Sequence, residues 1–125
     1  MGQIKKMNYT RLCSLVSGLE PAIRGVFVYH FSGELLAGGM LEDVKSHLPN
    51  EEITKSVRNT ISRWKSRESL YPFLGTGKYS ITEYEKIKRI TILLETHVIL
   101  VISMEVEVDH DLIIEKVLQL IMQKI

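Results

Sequence analysis

Between Ile53 and Arg67 the chain carries five cations, Lys55, Arg58, Arg63, Lys65 and Arg67, and no carboxylate, with Trp64 and Tyr71 close by. Cations interleaved with aromatic rings can share one surface and grip phosphates or an acidic partner. A second basic group, Lys86, Lys88 and Arg89, follows Tyr79 and Tyr84. If the strand bearing those tyrosines lies at a sheet edge, the two groups form one exposed patch. The expected partner or dimer surface is therefore Lys55, Arg58, Arg63, Trp64, Tyr79, Tyr84 and Lys86. The plainer alternative is a solvated helix face with Trp64 turned into the core.

Other chemistry-bearing residues are less well arranged. Glu105, Glu107, Asp109, Asp111 and Glu115 gather around His110, but Glu105, Glu107 and Asp109 in an extended segment stand about 7 Å apart on one side, too spread to surround one hard cation. Complementing a helix dipole is the simpler task for them. Cys13 sits between Leu12 and Ser14 with nothing nearby to activate a nucleophile, and reads as an inert, buried or half-buried thiol. His30, His47, His97 and His110 show neither helical pairing nor a cysteine at zinc spacing. Gly38-Gly39 lacks the Lys-Ser/Thr of a nucleotide loop, and Gly75-Thr76-Gly77-Lys78 leads into a strand, away from the helix start that would hold phosphate. No catalytic residue, metal ligand or cofactor is assigned.

These residues must be positioned by elements that the apolar spacing marks out. Asn8 caps a short helix with Leu12, Leu15, Val16 and Leu19 on one face, closed by Pro21. Val26 to Phe31, Ser32-Gly33-Glu34 and Leu35 to Gly39 form a hairpin, with positive φ at Gly33 and an end at the glycine pair. Pro49-Asn50-Glu51-Glu52 starts a second helix, capped by Asn50, whose apolar stripe is Ile53, Val57, Ile61 and Trp64 and which stops before Pro72. Phe73 to Gly77 is read as a turn. Strands follow at about Lys78 to Tyr84, Lys88 to Leu94 and Val98 to Met104, the last two joined through Thr96-His97. Asp109 to Ile125 closes the chain as a helix capped by Asp109 or Asp111, with Ile114, Val117, Leu118, Ile121 and Ile125 facing inward. The expected fold class is α/β: one five-stranded, mainly antiparallel sheet flanked by helices, in the order αββαβββα.

Composition agrees with a single domain over residues 1–125. The chain is 45% hydrophobic and 25% charged with a formal net charge of +1, ordinary globular values at a length that supports its own core. The total hides a basic region from Lys55 to Arg89 and an acidic one from Glu95 to Glu115 that nearly cancel, so bulk attraction to nucleic acid is disfavoured while a two-sided surface is not. A lone cysteine, apolar runs far shorter than a membrane span, and an amino-terminal segment with Lys5 and Lys6 but no apolar stretch behind them lead us to expect a cytoplasmic protein.

The segment Ile23-Arg24-Gly25-Val26-Phe27-Val28-Tyr29-His30-Phe31-Ser32-Gly33-Glu34-Leu35-Leu36-Ala37-Gly38-Gly39, preceded by the helix around Leu15 and Leu19, resembles the opening hairpin of the Roadblock/LC7 family. The element order extends the resemblance over nearly the whole chain, and profilin-like, PAS-like and longin domains share related arrangements. The resemblance implies a non-enzymatic homodimer or heterodimer that acts as a scaffold or regulator of small GTPases, or as a subunit of a motor or signalling assembly. It places the dimer contact on the second helix and third strand, here Asn50 to Ser69 and Lys78 to Tyr84. Two other classes stand as alternatives: a nucleic-acid-associated protein using the basic helix, and a small-ligand sensor. The former predicts steep salt dependence, the latter a pocket of about 300 Å³ or more with a few convergent polar groups.

Overall fold

Asn8 accepts a hydrogen bond from the Arg11 amide at 3.0 Å and starts α1 (Tyr9–Ser17), which turns Leu12, Cys13 and Val16 inward. The computed structural model describes residues 7–123; the amino-terminal segment around Lys5 and Lys6, and Ile125, lie outside them. β1 (Ile23–His30) and β2 (Leu35–Met40) form the first hairpin, with Gly33 at φ 96° in its turn. α2 (Asn50–Arg67) carries Glu51 and Glu52 in its first turn, where the dipole favours them. Pro49, one residue earlier than expected, occupies the cap position. β3 (Tyr79–Glu83), β4 (Ile87–Glu95) and β5 (Val98–Glu105) follow, and Asp109 caps α4 (His110–Met122) by accepting from the Asp111 and Leu112 amides.

The five strands form one sheet in the order β2-β1-β5-β4-β3, with every neighbouring pair antiparallel. The first strand and the last are thus central neighbours, and β2 and β3 are the edges. Alternation along the central strands builds two cores. Val26, Val28, Ile90, Ile92, Leu100 and Ile102 face α1 and α4, while Phe31, Ile99 and Val101 face α2 with Ile61 and Trp64. β5 is buried from Val98 through Met104, as a strand covered on both faces must be. No helix among the described residues is long and apolar enough to cross a membrane.

Two local expectations need correction. Gly38-Gly39 does not end β2, which continues to Met40. Gly38 adopts φ 86° inside the strand, and an added Cβ would lie 2.0 Å from the Val26 carbonyl oxygen and 3.0 Å from Cys13 Sγ. The glycine lets α1 and β1 approach β2, which a side chain would prevent. α2 does stop before Pro72, at Arg67, but the segment read as a turn from Phe73 to Gly77 begins inside a further short helix. A 3₁₀ turn (Glu68–Leu70) continues from α2 into α3 (Tyr71–Leu74), whose first turn holds Pro72. Proline is tolerated there because amides in a first turn have no intrahelical acceptor. As a result Phe73 and Leu74 sit on a short helix with 84% and 78% of their surface exposed.

Candidate functional site

α2 lies over the sheet on its Ile61 and Trp64 face and leaves a groove along each flank. One groove, of about 470 Å³, runs between α2 and the β3–β4 turn. It brings together Lys55 and Arg63 from α2, Tyr84 and Lys86 from the turn, and Arg89 from β4. Four of the seven residues expected at the surface therefore converge. Arg58 lies across the helix, with Lys65, on a second groove of about 480 Å³ that reaches Phe31 and Gly33. Glu52 and Glu85 also line the first groove, and Glu52 lies 4.0 Å from Lys55, so its charge is mixed.

Trp64 and Tyr79 differ from expectation as well. Trp64 is 1% exposed and lies beneath the surface. Its Nε1 donates to Thr91 Oγ1 at 2.8 Å and the Arg67 guanidinium lies 4.9 Å from its ring centroid, so the tryptophan anchors α2 and only the arginine is available outside. Truncating such a ring costs about 3–5 kcal/mol, against at most about 1 kcal/mol for an exposed ion pair, so anchoring is its main contribution. Tyr79 and Tyr84 are both half-exposed but belong to opposite faces. Tyr84 follows Ser80 and Thr82 toward Trp64 and Arg67, whereas Tyr79 shares its side of β3 with Ile81, which packs against the α1/α4 core.

Lys88 departs most from its neighbours Lys86 and Arg89. It is 5% exposed and points away from α2, under the start of α4. Its Nζ donates to the Val108 carbonyl and lies 3.1 Å from His110 Nδ1. The ammonium thereby ties β4 to the loop before α4 and takes no part in the groove. Arg89, one residue on, points to the opposite face and donates to Ser56 Oγ at 2.8 Å.

Beneath the amino-terminal half of α2 is a more enclosed cavity of about 120 Å³ that the sequence did not announce. Its walls are Phe27, Tyr29, Ile99 and Val101 from the sheet and Val57 from the helix, with Arg24 and Arg89 at its margins. Phe27 and Tyr29 stack at 5.9 Å between centroids. Burial pushes the Tyr29 phenol above its ordinary value of 10.0, with the Arg89 charge pulling the other way. The volume falls below the roughly 300 Å³ expected of a drug-sized ligand site. Cys13 is buried in the other core, and burial pushes its thiol up to about 11, the opposite of nucleophile activation.

The chain is similar to a solved Roadblock/LC7 domain from Streptomyces avermitilis, with a TM-score of 0.67 at 10% identity over 91% of this chain and 92% of that one. It is similar also to MglB of Myxococcus xanthus, with a TM-score of 0.66 at 13% identity over 92% and 89%. A further MglB structure, of tetrameric arrangement, has a TM-score of 0.63 at 12% identity over 92% and 88%. At such identities the likeness is one of fold, and the fold is that of Roadblock/LC7 domains. No curated protein sequence matches the chain. The profile of a family of unknown function, DUF6659, matches residues 1–124, and the protein belongs to that family.

Proposed function

We propose that the protein is a non-catalytic interaction module that dimerises through β3 and α2 and regulates or scaffolds a small GTPase or another signalling protein. The observation that carries this reading is the open edge of β3. Lys78 O accepts from Leu93 N, and Tyr84 N donates to Ile87 O. The even positions of β3 thus aim their backbone groups at β4, and Tyr79, Ile81 and Glu83 aim theirs outward, where a second strand can pair. Leu70, Phe73 and Leu74 are exposed on the segment leading into this edge. An antiparallel pair of β3 strands would be self-complementary about a two-fold axis and would bring the two α2 helices side by side.

The Roadblock/LC7 fold supports the GTPase or signalling partner, and the groove of Lys55, Arg63, Tyr84 and Lys86 supplies a surface for it. The mixed charge of that groove, with Glu52 and Glu85 beside the cations, favours a protein partner over a polyphosphate backbone. Light scattering on the purified chain is expected to give twice 14.4 kDa. Tyr79→Pro and Glu83→Pro, which remove outward amides and leave the β3–β4 ladder intact, should each return it to the monomer mass. A monomeric wild type, or a dimer indifferent to both prolines, overturns the proposed contact. Arg63→Glu with Lys86→Glu tests the groove separately: capture of a small GTPase by the wild type should be lost in the double variant and kept in Arg58→Glu.

A further inference from the structure

Arg24 and Arg89 border the same cavity but are differently compensated. Arg24 is the extra residue of a bulge, since Ile23 and Gly25 pair with the consecutive residues Met104 and Ser103. Its guanidinium is satisfied by Glu105 at 2.8 Å and the Lys45 carbonyl at 2.6 Å. Arg89, on the interior strand β4, is half-buried and donates to the neutral Ser56 hydroxyl. No carboxylate among the described residues lies within ion-pair distance of it. A half-buried guanidinium whose hydrogen-bond partner is a neutral hydroxyl, at the edge of an apolar cavity, has a charge that an anion can still pair.

The cavity defines the rest of that anion. Phe27, Ile99, Val101 and Val57 present ring and methyl groups, and a dry cavity of comparable size, about 150 Å³, takes a benzene molecule. Tyr29 contributes a neutral hydroxyl at the same wall. His47, Leu48, Ser56, Ile87 and Arg89 line both the cavity and the larger groove outside, so the two spaces adjoin. Lys55, Arg63 and Lys86 with Arg89 outnumber Glu52 and Glu85 along that groove, so its net charge favours approach of a small anion. One planar guanidinium takes one carboxylate through two parallel hydrogen bonds, and Arg24, the other cation bordering the cavity, is already held by Glu105, which leaves a single charge to be met.

We infer that the cavity beneath α2 binds a small organic monocarboxylate with an apolar body of about four to six carbons, its carboxylate on Arg89 and its body between Val57 and the sheet. This site is separate from the dimer contact at β3 and adjoins the groove proposed for a protein partner, and its preference for acid over amide is read on the chain alone, without either. Calorimetric titration of the full chain with pentanoate, hexanoate and benzoate, beside hexanamide and benzamide, tests it. Saturable binding of at least one acid is expected, with its amide at least about tenfold weaker. Arg89→Gln should remove that preference, Val101→Phe should fill the cavity and abolish binding, and Arg58→Gln on the other flank of α2 should change neither. Should Arg89→Gln fail to fold, the acid–amide comparison in the wild type together with Val101→Phe decides. Equal binding of acid and amide, undiminished binding by Val101→Phe, or no saturable binding of any acid up to about 10 mM overturns the inference.

Discussion

Cys13, which is buried, and Tyr9, which is partly so, show what single titratable groups do to this molecule. The Cys13 thiol is pushed up to about 11 by burial alone, so at pH 8 only about one molecule in a thousand carries a thiolate. Alkylation of the folded chain at pH 8 should be at least about a hundredfold slower than in the urea-unfolded chain, as followed by mass spectrometry. The same shift has a stability consequence. The folded state holds the proton more tightly than the unfolded one, so the contribution is complete below the ordinary value of 9.0 and is lost as pH rises from there toward about 11. Tyr9 acts in the same sense at higher pH, raised first by burial and then by its 2.6 Å hydrogen bond to Glu95. Residue positions were partly legible in the sequence. Lys88 stands two and four residues before the buried Ile90 and Ile92, so strand alternation alone turns it inward. Tyr79 and Tyr84 differ by an odd number and cannot share a face. Trp64 continues the Ile53–Val57–Ile61 stripe. Grouping these residues by chemistry, without their parity, put them in one patch.

Elements were legible wherever periodicity and capping agreed: α1 with Asn8, the two hairpins, α2 with its stripe, and α4 with Asp109. Where a residue type has two structural uses, the sequence did not choose between them. Pro72 serves a first turn as readily as it ends a helix, and Gly38 serves a close approach as readily as it ends a strand. The Gly38 conformation predicts the outcome of its substitution. Gly38→Ala combines a positive φ, costing about 1–3 kcal/mol, with a steric conflict at the Val26 carbonyl. Gly33→Ala has a similar φ but open space around its Cβ. Urea denaturation should show Gly38→Ala to be the more destabilised of the two, and equal losses would mean that the α1–β2 approach contributes nothing. The cavity beneath α2 had no sequence signature. Its walls come from β1, α2 and β5 and its margins from a bulge and from β4, positions related only by the sheet order.

At the scale of the molecule, the near-neutral total conceals a separation across the sheet. α2 and the β3–β4 turn carry Lys55, Arg58, Arg63, Lys65 and Lys86 in excess over Glu52 and Glu85 on one side, and Asp109, Asp111 and Glu115 stand around the start of α4 on the other. The sheet itself is non-local. Val26 pairs with Ile102, 76 positions later, and the central β1–β5 contact joins the two hairpins. Proteins dominated by such pairings fold in milliseconds to seconds, slower than helical bundles. Trp64, the one tryptophan, is buried between α2 and β4 and reports the closing of that core. Stopped-flow refolding followed by its fluorescence should fall in the millisecond-to-second range, and a microsecond phase with full amplitude would contradict this. The place of β5 also governs how the chain emerges during synthesis. Until residue 105 has left the ribosome, β2–β1 and β3–β4 are two separate hairpins, each with an apolar strand awaiting the same missing neighbour. The nascent protein therefore completes its sheet only once β5 has emerged, and its aggregation hazard lies in the interval when both inner edges are open.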